Sequence, residues 1–244
     1  MKVMIVDDEA PARALLAEYL EAHPDCQLVA QAAQGLEAVE LAERHRPDLM
    51  LLDIQMPGLD GFEVIEALEH RPLVVFTTAY DEYALKAFEV GAVDYLLKPF
   101  SEERFAQAME RAAERLARGD HPALDSIVAA ARRGRSPLSR VLLRHEGRLY
   151  VLPTERIDYI EARGDYASFH VGKEALAKQQ SLGELEELLD PRQFARIHRS
   201  YLLNLSRLAR FELYAKDSRV AILKDGTRLP VSRAGYARVR ELAG

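Results

Sequence analysis

Four short apolar runs each lead into a group able to do chemistry: Val3–Val6 into Asp7 and Asp8, Leu49–Leu52 into Asp53, Leu73–Phe76 into Thr77 and Thr78, and Tyr95–Leu97 into Lys98. Three carboxylates brought close together repel, and at least one binds its proton more tightly unless a cation sits among them. Oxygen ligands with room for several waters suit Mg²⁺ better than zinc or copper. Three acids, a hydroxyl and an ammonium around Mg²⁺ suit phosphoryl transfer. A carboxylate attacks the phosphoryl group to give an acyl phosphate, while the metal, the ammonium and the hydroxyl offset the charge on the phosphoryl oxygens. Singly, each residue has an ordinary reading: Asp8–Glu9 caps a helix and Lys98 is a surface lysine. Their shared position at the ends of apolar runs argues for a site.

The elements that would bring them together alternate along residues 1–118. Val3–Val6 precedes an amphipathic stretch at Pro11–Ala22, Leu28–Ala30 precedes Leu36–His45, and Leu49–Leu52 precedes Phe62–Glu69. Leu73–Phe76 precedes Glu82–Val90, and Tyr95–Leu97 precedes Glu102–Leu116. Apolar runs without polar alternation belong to strands buried on both faces, so the expected fold is α/β and doubly wound, a parallel sheet covered by helices. Such sheets bind ligands at the carboxyl ends of their strands, where Asp7, Asp8, Asp53, Thr77, Thr78 and Lys98 all fall.

The 244 residues suffice for two domains, and the charge is unevenly shared between them. Residues 1–118 hold 11 Lys+Arg against 23 Asp+Glu, whereas residues 119–244 hold 22 against 16, which suggests an anionic partner for the second half. No apolar run is long enough to cross a bilayer and the first residues lack a secretory layout, so a cytoplasmic location without membrane attachment is expected. The single cysteine, Cys26, can form neither an internal disulfide nor a cysteine-rich zinc site.

Residues 119–138, GDHPALDSIVAAARRGRSPL, read as a linker with room for a short helix at Leu124–Arg132. Beyond Ser139 the period becomes two. Hairpins are expected around His145–Glu146–Gly147, Arg163–Gly164–Asp165 and Lys224–Asp225–Gly226, and helices at Leu182–Leu189 and at Ala234–Leu242, the latter capped by Ser232. The second half is therefore mainly β. It carries Arg163, Lys178, Arg196, His198, Arg199, Arg210, Lys216, Arg219, Arg228 and Arg233, groups that contact phosphates or read guanine. No helix-turn-helix pattern, zinc-ligand spacing or paired aromatic RNA-binding motif is present. Arg163–Gly164–Asp165 also spells a cell-adhesion tripeptide, but its setting is that of a hairpin turn.

The blocks VMIVDDE, LMLLDIQMPGLDG, VVFTTAY and VDYLLKPF resemble the receiver domains of two-component response regulators over residues 1 to about 118. That resemblance implies a flavodoxin-like fold with Asp53 as phosphoacceptor, Thr78 as switch hydroxyl, Lys98 as phosphate-binding ammonium and Tyr95 as switch aromatic. It implies Mg²⁺ held by Asp8, Asp53 and the Gln55 backbone carbonyl, with Asp7 acting through water, and a cis bond at Lys98–Pro99. Over residues 139–244, YIEARGDYASFHV, LGELEELL, FARIHRSYLLNLSRL and LKDGTRLPVSRAGYARVREL resemble the LytTR DNA-binding domain. This implies DNA contact through loops, with Arg163, Asn204 and Arg233 as leading candidates and Lys216 and Arg199 in support.

Together these imply a receiver at 1–118, a linker at 119–138 and a LytTR-type domain at 139–244. The implied protein is not an enzyme but a transcriptional regulator, phosphorylated by a sensor histidine kinase. Phosphorylation draws Thr78 inward, lets Tyr95 rotate, and promotes a homodimer that binds repeats in double-stranded promoter DNA. Two other classes share parts of this pattern. A phosphatase with an aspartyl-phosphate intermediate would need an acid two residues beyond Asp53, where Gln55 stands; an RNA- or protein-binding output would leave duplex DNA unbound.

Overall fold

The computed structural model describes residues 1–79, 92–119, 137–145, 147–215 and 218–243. The chain divides into two compact units, Met1–Arg135 and Ser136–Gly244. Three sequence expectations lie outside the described residues: the helices at Glu82–Val90 and Leu124–Arg132, and the placement of Lys216.

In the first unit, β1 (Lys2–Val6), β2 (Gln27–Ala32), β3 (Leu49–Asp53), β4 (Leu73–Thr78) and β5 (Asp94–Leu97) form a parallel sheet of order β2-β1-β3-β4-β5. The runs Val3–Val6, Leu49–Leu52 and Leu73–Phe76 are buried throughout, because helices cover both faces. Val3, Ile5, Leu51, Val75 and Leu96 face α1 (Ala10–Glu21) and α4 (Glu102–Arg118), which contribute Leu16 and Phe105 to one core. Residues of alternate parity face the other way. There α2 (Gly35–His45) packs beside α3 (Gly61–Ala67), whose Phe62 ring lies 4.9 Å from that of Phe76.

Two local devices position the loop after β3. Asp60 caps α3 with its side chain and receives the reciprocal hold from Glu63, which fixes where the helix starts. Gly61 lies against the strand end itself: a Cβ there would meet the Asp53 carbonyl oxygen at 2.4 Å. Glycine is the residue that permits this approach.

The second unit is mainly β, in keeping with the change of period. A five-stranded antiparallel sheet runs β10-β9-β8-β12-β11, built from β8 (Tyr159–Arg163), β9 (Tyr166–Val171), β10 (Glu174–Gln179), β11 (Phe194–His198) and β12 (Tyr201–Asn204). Strands β13 (Leu208–Ala215), β14 (Ser218–Leu223) and β15 (Arg228–Val231) make a second sheet, and β6 (Arg140–His145) pairs with β7 (Arg148–Pro153). One face of the central sheet joins α5 (Leu182–Leu188) around Ile160, Phe169, Leu185 and Leu202. The opposite face joins α6 (Arg233–Ala243) and the three-stranded sheet around Ile197, Leu203, Ala221 and Val239. Ser232 caps α6, its Oγ accepting from the Gly235 N–H at 3.0 Å. The β8–β9 turn is tighter than expected, since Arg163 pairs with Tyr166 and leaves only Gly164 and Asp165 between the strands.

Candidate functional site

Parallel strands deliver their carboxyl ends to one rim, and the side chains dispersed in sequence meet there. Asp7 follows β1, Asp53 ends β3, Thr78 ends β4 and Lys98 follows β5. The Lys98 ammonium donates to Asp7 Oδ2 at 2.6 Å and to Asp53 Oδ2 at 3.0 Å, which joins the ends of three strands in one contact. Asp7, Asp8 and Asp53 each offer a carboxylate oxygen within 4.8 Å of the others. Asp7 is fully buried, Asp53 nearly so, and Asp8 is exposed, so the cluster opens to solvent on the Asp8 side.

The backbone fixes these carboxylates further. The Glu9 N–H donates to Asp7 Oδ1 and the Gln55 N–H to Asp53 Oδ1. Arg13, which sequence reasoning did not single out, donates to the carbonyl oxygens of Asp7 and Asp8 at 2.7 and 3.1 Å and so ties α1 to the acidic loop. The Lys98 N–H donates to the Thr78 carbonyl at 2.7 Å, and the Lys98–Pro99 bond is cis. Thr77 and Thr78 are both buried, and Thr77 Oγ1 has no hydrogen-bond partner among the described residues.

Burial pushes the Asp53 carboxyl above its ordinary range; the charge and hydrogen bond of Lys98 offset this only in part, and the charge of Asp7 adds to it. Burial alone would lower Lys98, but the hydrogen bond to Asp7 and the charge of Asp53 outweigh it and hold the ammonium above its usual value. The donor set is therefore two buried acids, one exposed acid and a firmly protonated lysine. Hard oxygen donors so grouped fit Mg²⁺, and Asp7, Asp8 and Asp53 are the residues that would hold it.

Tyr95 lies in the middle of β5 and is buried. Beside it stands a network not foreseen from sequence. Buried Asp94 accepts from Arg104 Nη2 and Nη1 at 2.6 and 2.8 Å, from Arg111 Nη1 at 2.8 Å and from the Tyr95 N–H at 2.8 Å. Arg104 also donates to the Tyr95 carbonyl at 2.8 Å, so both backbone groups of Tyr95 belong to the network.

The family profile for the response regulator receiver domain matches residues 3–110, and that for the LytTr DNA-binding domain matches residues 147–244. This chain belongs to the LytTR family of two-component response regulators. Over 248 residues it is 34% identical to the transcriptional regulatory protein BtsR of Escherichia coli K12, covering 100% of this chain and 99% of that protein. It is equally 34% identical over 248 residues to the sensory transduction protein LytT of Enterococcus faecalis, with the same coverage of 100% and 99%. The solved response regulatory domain of protein mrkE from Klebsiella pneumoniae is 34% identical with a TM-score of 0.45, covering 48% of this chain and 99% of that one. The regulator thus pairs a receiver with a LytTR DNA-binding domain, and no helix among its described residues is long and apolar enough to cross a membrane.

In the LytTR unit, four of the five residues expected to touch DNA lie among the described residues, and their placements differ. Arg163, at the end of β8, is exposed and paired with Glu161. Arg199 is exposed in the β11–β12 turn, its carbonyl accepting from Arg196. Arg233 is exposed at the first position of α6. Asn204 requires a correction. It is fully buried, its Nδ2 donating to the Ile157 carbonyl at 2.7 Å and its Oδ1 accepting from the Ser206 N–H at 3.0 Å and from the Ser206 hydroxyl at 2.8 Å. An amide whose polar atoms are engaged inside the fold caps a turn and offers nothing to a ligand.

Proposed function

We propose that this regulator is switched by phosphorylation of Asp53 and, once phosphorylated, forms a homodimer that binds repeated sites in duplex DNA through its LytTR unit. The proposal rests on one observation above all: a single ammonium, Lys98 Nζ, reaches both Asp7 and Asp53, with Asp8 in the same cluster. An Asp53 oxygen attacks phosphorus, the P–N bond of a phosphohistidine on the sensor kinase breaks, and the imidazole leaves with the bonding pair and takes up a proton. Lys98 stays protonated and offsets charge on the transferred oxygens, while Asp7 holds Lys98 in place. Bound Mg²⁺ would supply further neutralisation of those oxygens. Thr78 reaches the new phosphoryl group, and Tyr95 takes the space released. The product is a covalently marked protein, so the chain serves as a stoichiometric switch and not as a turnover catalyst.

The proposed limits are a receiver at 1–118, a linker at 119–138 and a DNA-binding domain at 139–244. In support, α4 ends at Arg118, Gly119 follows in the left-handed conformation, and β6 opens at Arg140. Arg163, Arg199 and Arg233 are the proposed DNA contacts; Asn204 is withdrawn. The cell interior is the proposed location.

The test is phosphorylation with a small phosphodonor such as acetyl phosphate. One phosphoryl group per chain, dependent on Mg²⁺ and absent in Asp53→Asn, is expected, accompanied by dimerisation in light scattering and tighter binding of duplex DNA. Labelling that persists in Asp53→Asn, or DNA binding indifferent to phosphodonor, would refute it.

A further inference from the structure

Tyr159, Glu161 and Arg163 alternate along β8 and therefore share one face of the central sheet. Glu161 is the hub of that face. Its Oε2 accepts from Arg163 Nε at 2.9 Å, and lies 2.8 Å from Arg163 Nη2 and 3.3 Å from His170 Nε2 on β9. Its Oε1 accepts from the Tyr201 hydroxyl on β12 at 3.0 Å. The neighbours are themselves fixed, since the His170 ring stacks on Tyr159 with centroids 4.1 Å apart and an interplanar angle of 11°. Burial alone would raise the Glu161 carboxyl, but the Tyr201 hydroxyl and the Arg163 guanidinium outweigh it and keep the group ionised.

A carboxylate beside a proposed DNA contact has two physical effects. It repels phosphates, which is a cost for an arginine meant only to neutralise backbone charge. It also holds the guanidinium by its Nε edge, and the planar geometry of that group then leaves the terminal-nitrogen edge directed outward in one orientation. That edge presents two parallel donors able to bond guanine O6 and N7 together. Arg163 is 63% exposed while its partner is only 19% exposed, so the anchor is largely covered and the arginine side chain is accessible.

We propose that Glu161 is a specificity-determining positioning residue, which orients Arg163 to read a base edge and penalises its use on phosphate alone. This rests on the reading that Arg163 meets DNA. The experiment uses the phosphodonor-treated full chain and two duplexes: one enriched on the wild-type protein from a random pool, the other of equal composition with its sequence scrambled. In Glu161→Gln, which keeps an acceptor for Tyr201, binding to the enriched duplex weakens and binding to the scrambled duplex holds or strengthens. The ratio of the two affinities falls by about tenfold or more, the size of one bidentate base contact. In an Arg163→Ala background the same substitution leaves the ratio unchanged, and Tyr201→Phe, which spares the ion pair, keeps the wild-type ratio.

If Arg163→Ala alone leaves the ratio untouched, Arg163 does not read DNA, and both the reading and this proposal fall. If Arg163→Ala lowers the ratio but Glu161→Gln does not, or if the two effects simply add, the proposal alone is overturned. An equal loss in Tyr201→Phe would assign the effect to the integrity of the face and overturn it likewise.

Discussion

Asp94→Asn is the most demanding test of how the receiver is held together. The wild-type carboxylate is 1% exposed and accepts three charge-assisted hydrogen bonds from Arg104 and Arg111, besides one from the Tyr95 N–H. Removing one partner from a fully buried ion pair costs about 3–5 kcal/mol. Arg104 and Arg111 side chains are 34% and 52% exposed, so water can recover part of their charge once the carboxylate is gone. A loss of roughly 2–3 kcal/mol follows, which corresponds to about 30- to 150-fold faster exchange of amides that open with this region. Native-state hydrogen exchange of peptides from β5 and α4 reads this unit separately from the other. Burial alone would raise the Asp94 carboxyl, but Arg104, the Tyr95 N–H and Arg111 outweigh it and hold it below its ordinary value. Its contribution is therefore complete above the unfolded carboxylate value of about 3.9 and is lost as pH falls through the lower folded value. The gap between wild type and variant should be constant from about pH 5 upward and narrow on acidification below about pH 4. Exchange within threefold of wild type at neutral pH, or a gap that persists undiminished in acid, would show that the network contributes little.

Two further outcomes follow from close packing and buried polar atoms. Gly61→Ala places a Cβ 2.4 Å from the Asp53 carbonyl oxygen and 3.1 Å from Ile54 Cα, so α3 or the strand end must move. A loss of about 1–3 kcal/mol is expected, together with slower labelling of Asp53 by a phosphodonor; unchanged labelling kinetics would show the loop to be pliant. Asn204→Ala leaves the Ile157 carbonyl and the Ser206 N–H without their partner. It should cost about 1–3 kcal/mol of LytTR-unit stability, while the affinity of the folded fraction for enriched DNA stays at the wild-type level. A loss of affinity without a loss of stability would return Asn204 to the DNA surface.

The receiver site was legible in the sequence because its logic is topological. Asp53 ends an unbroken apolar strand, Asp7 follows another, and a parallel sheet has only one rim to which such ends can go, so residue order and burial pattern together imply the cluster. The Asp94 network escaped notice for the opposite reason. Nothing in the spacing of Asp94, Arg104 and Arg111 reveals that α4 crosses β5 with two guanidinium groups aimed at one buried carboxylate. Asn204 was misjudged because its surroundings are supplied by β8 and the turn before it, segments far away in the chain. A polar residue after Tyr201–Leu203 looks the same from sequence whether it faces water or the Ile157 carbonyl.

Glu161 lies between these cases, and the difference bears on how the two units work. The period-two series Tyr159, Glu161, Arg163 was visible, and it could have suggested a shared face with an acid beside a candidate DNA contact. What the series could not show is the Tyr201 hydroxyl, which arrives from β12 and bonds the other oxygen of the same carboxylate. In the receiver, Lys98 is likewise held by Asp7 while it faces Asp53. In both places a charged group that would act on an anion is first restrained by a fixed carboxylate. Under the proposed roles the physical consequence is the same: the restraint lowers the attraction for any passing phosphate and rewards only an anion or base presented in the right geometry. A side chain free to swing would bind more and discriminate less.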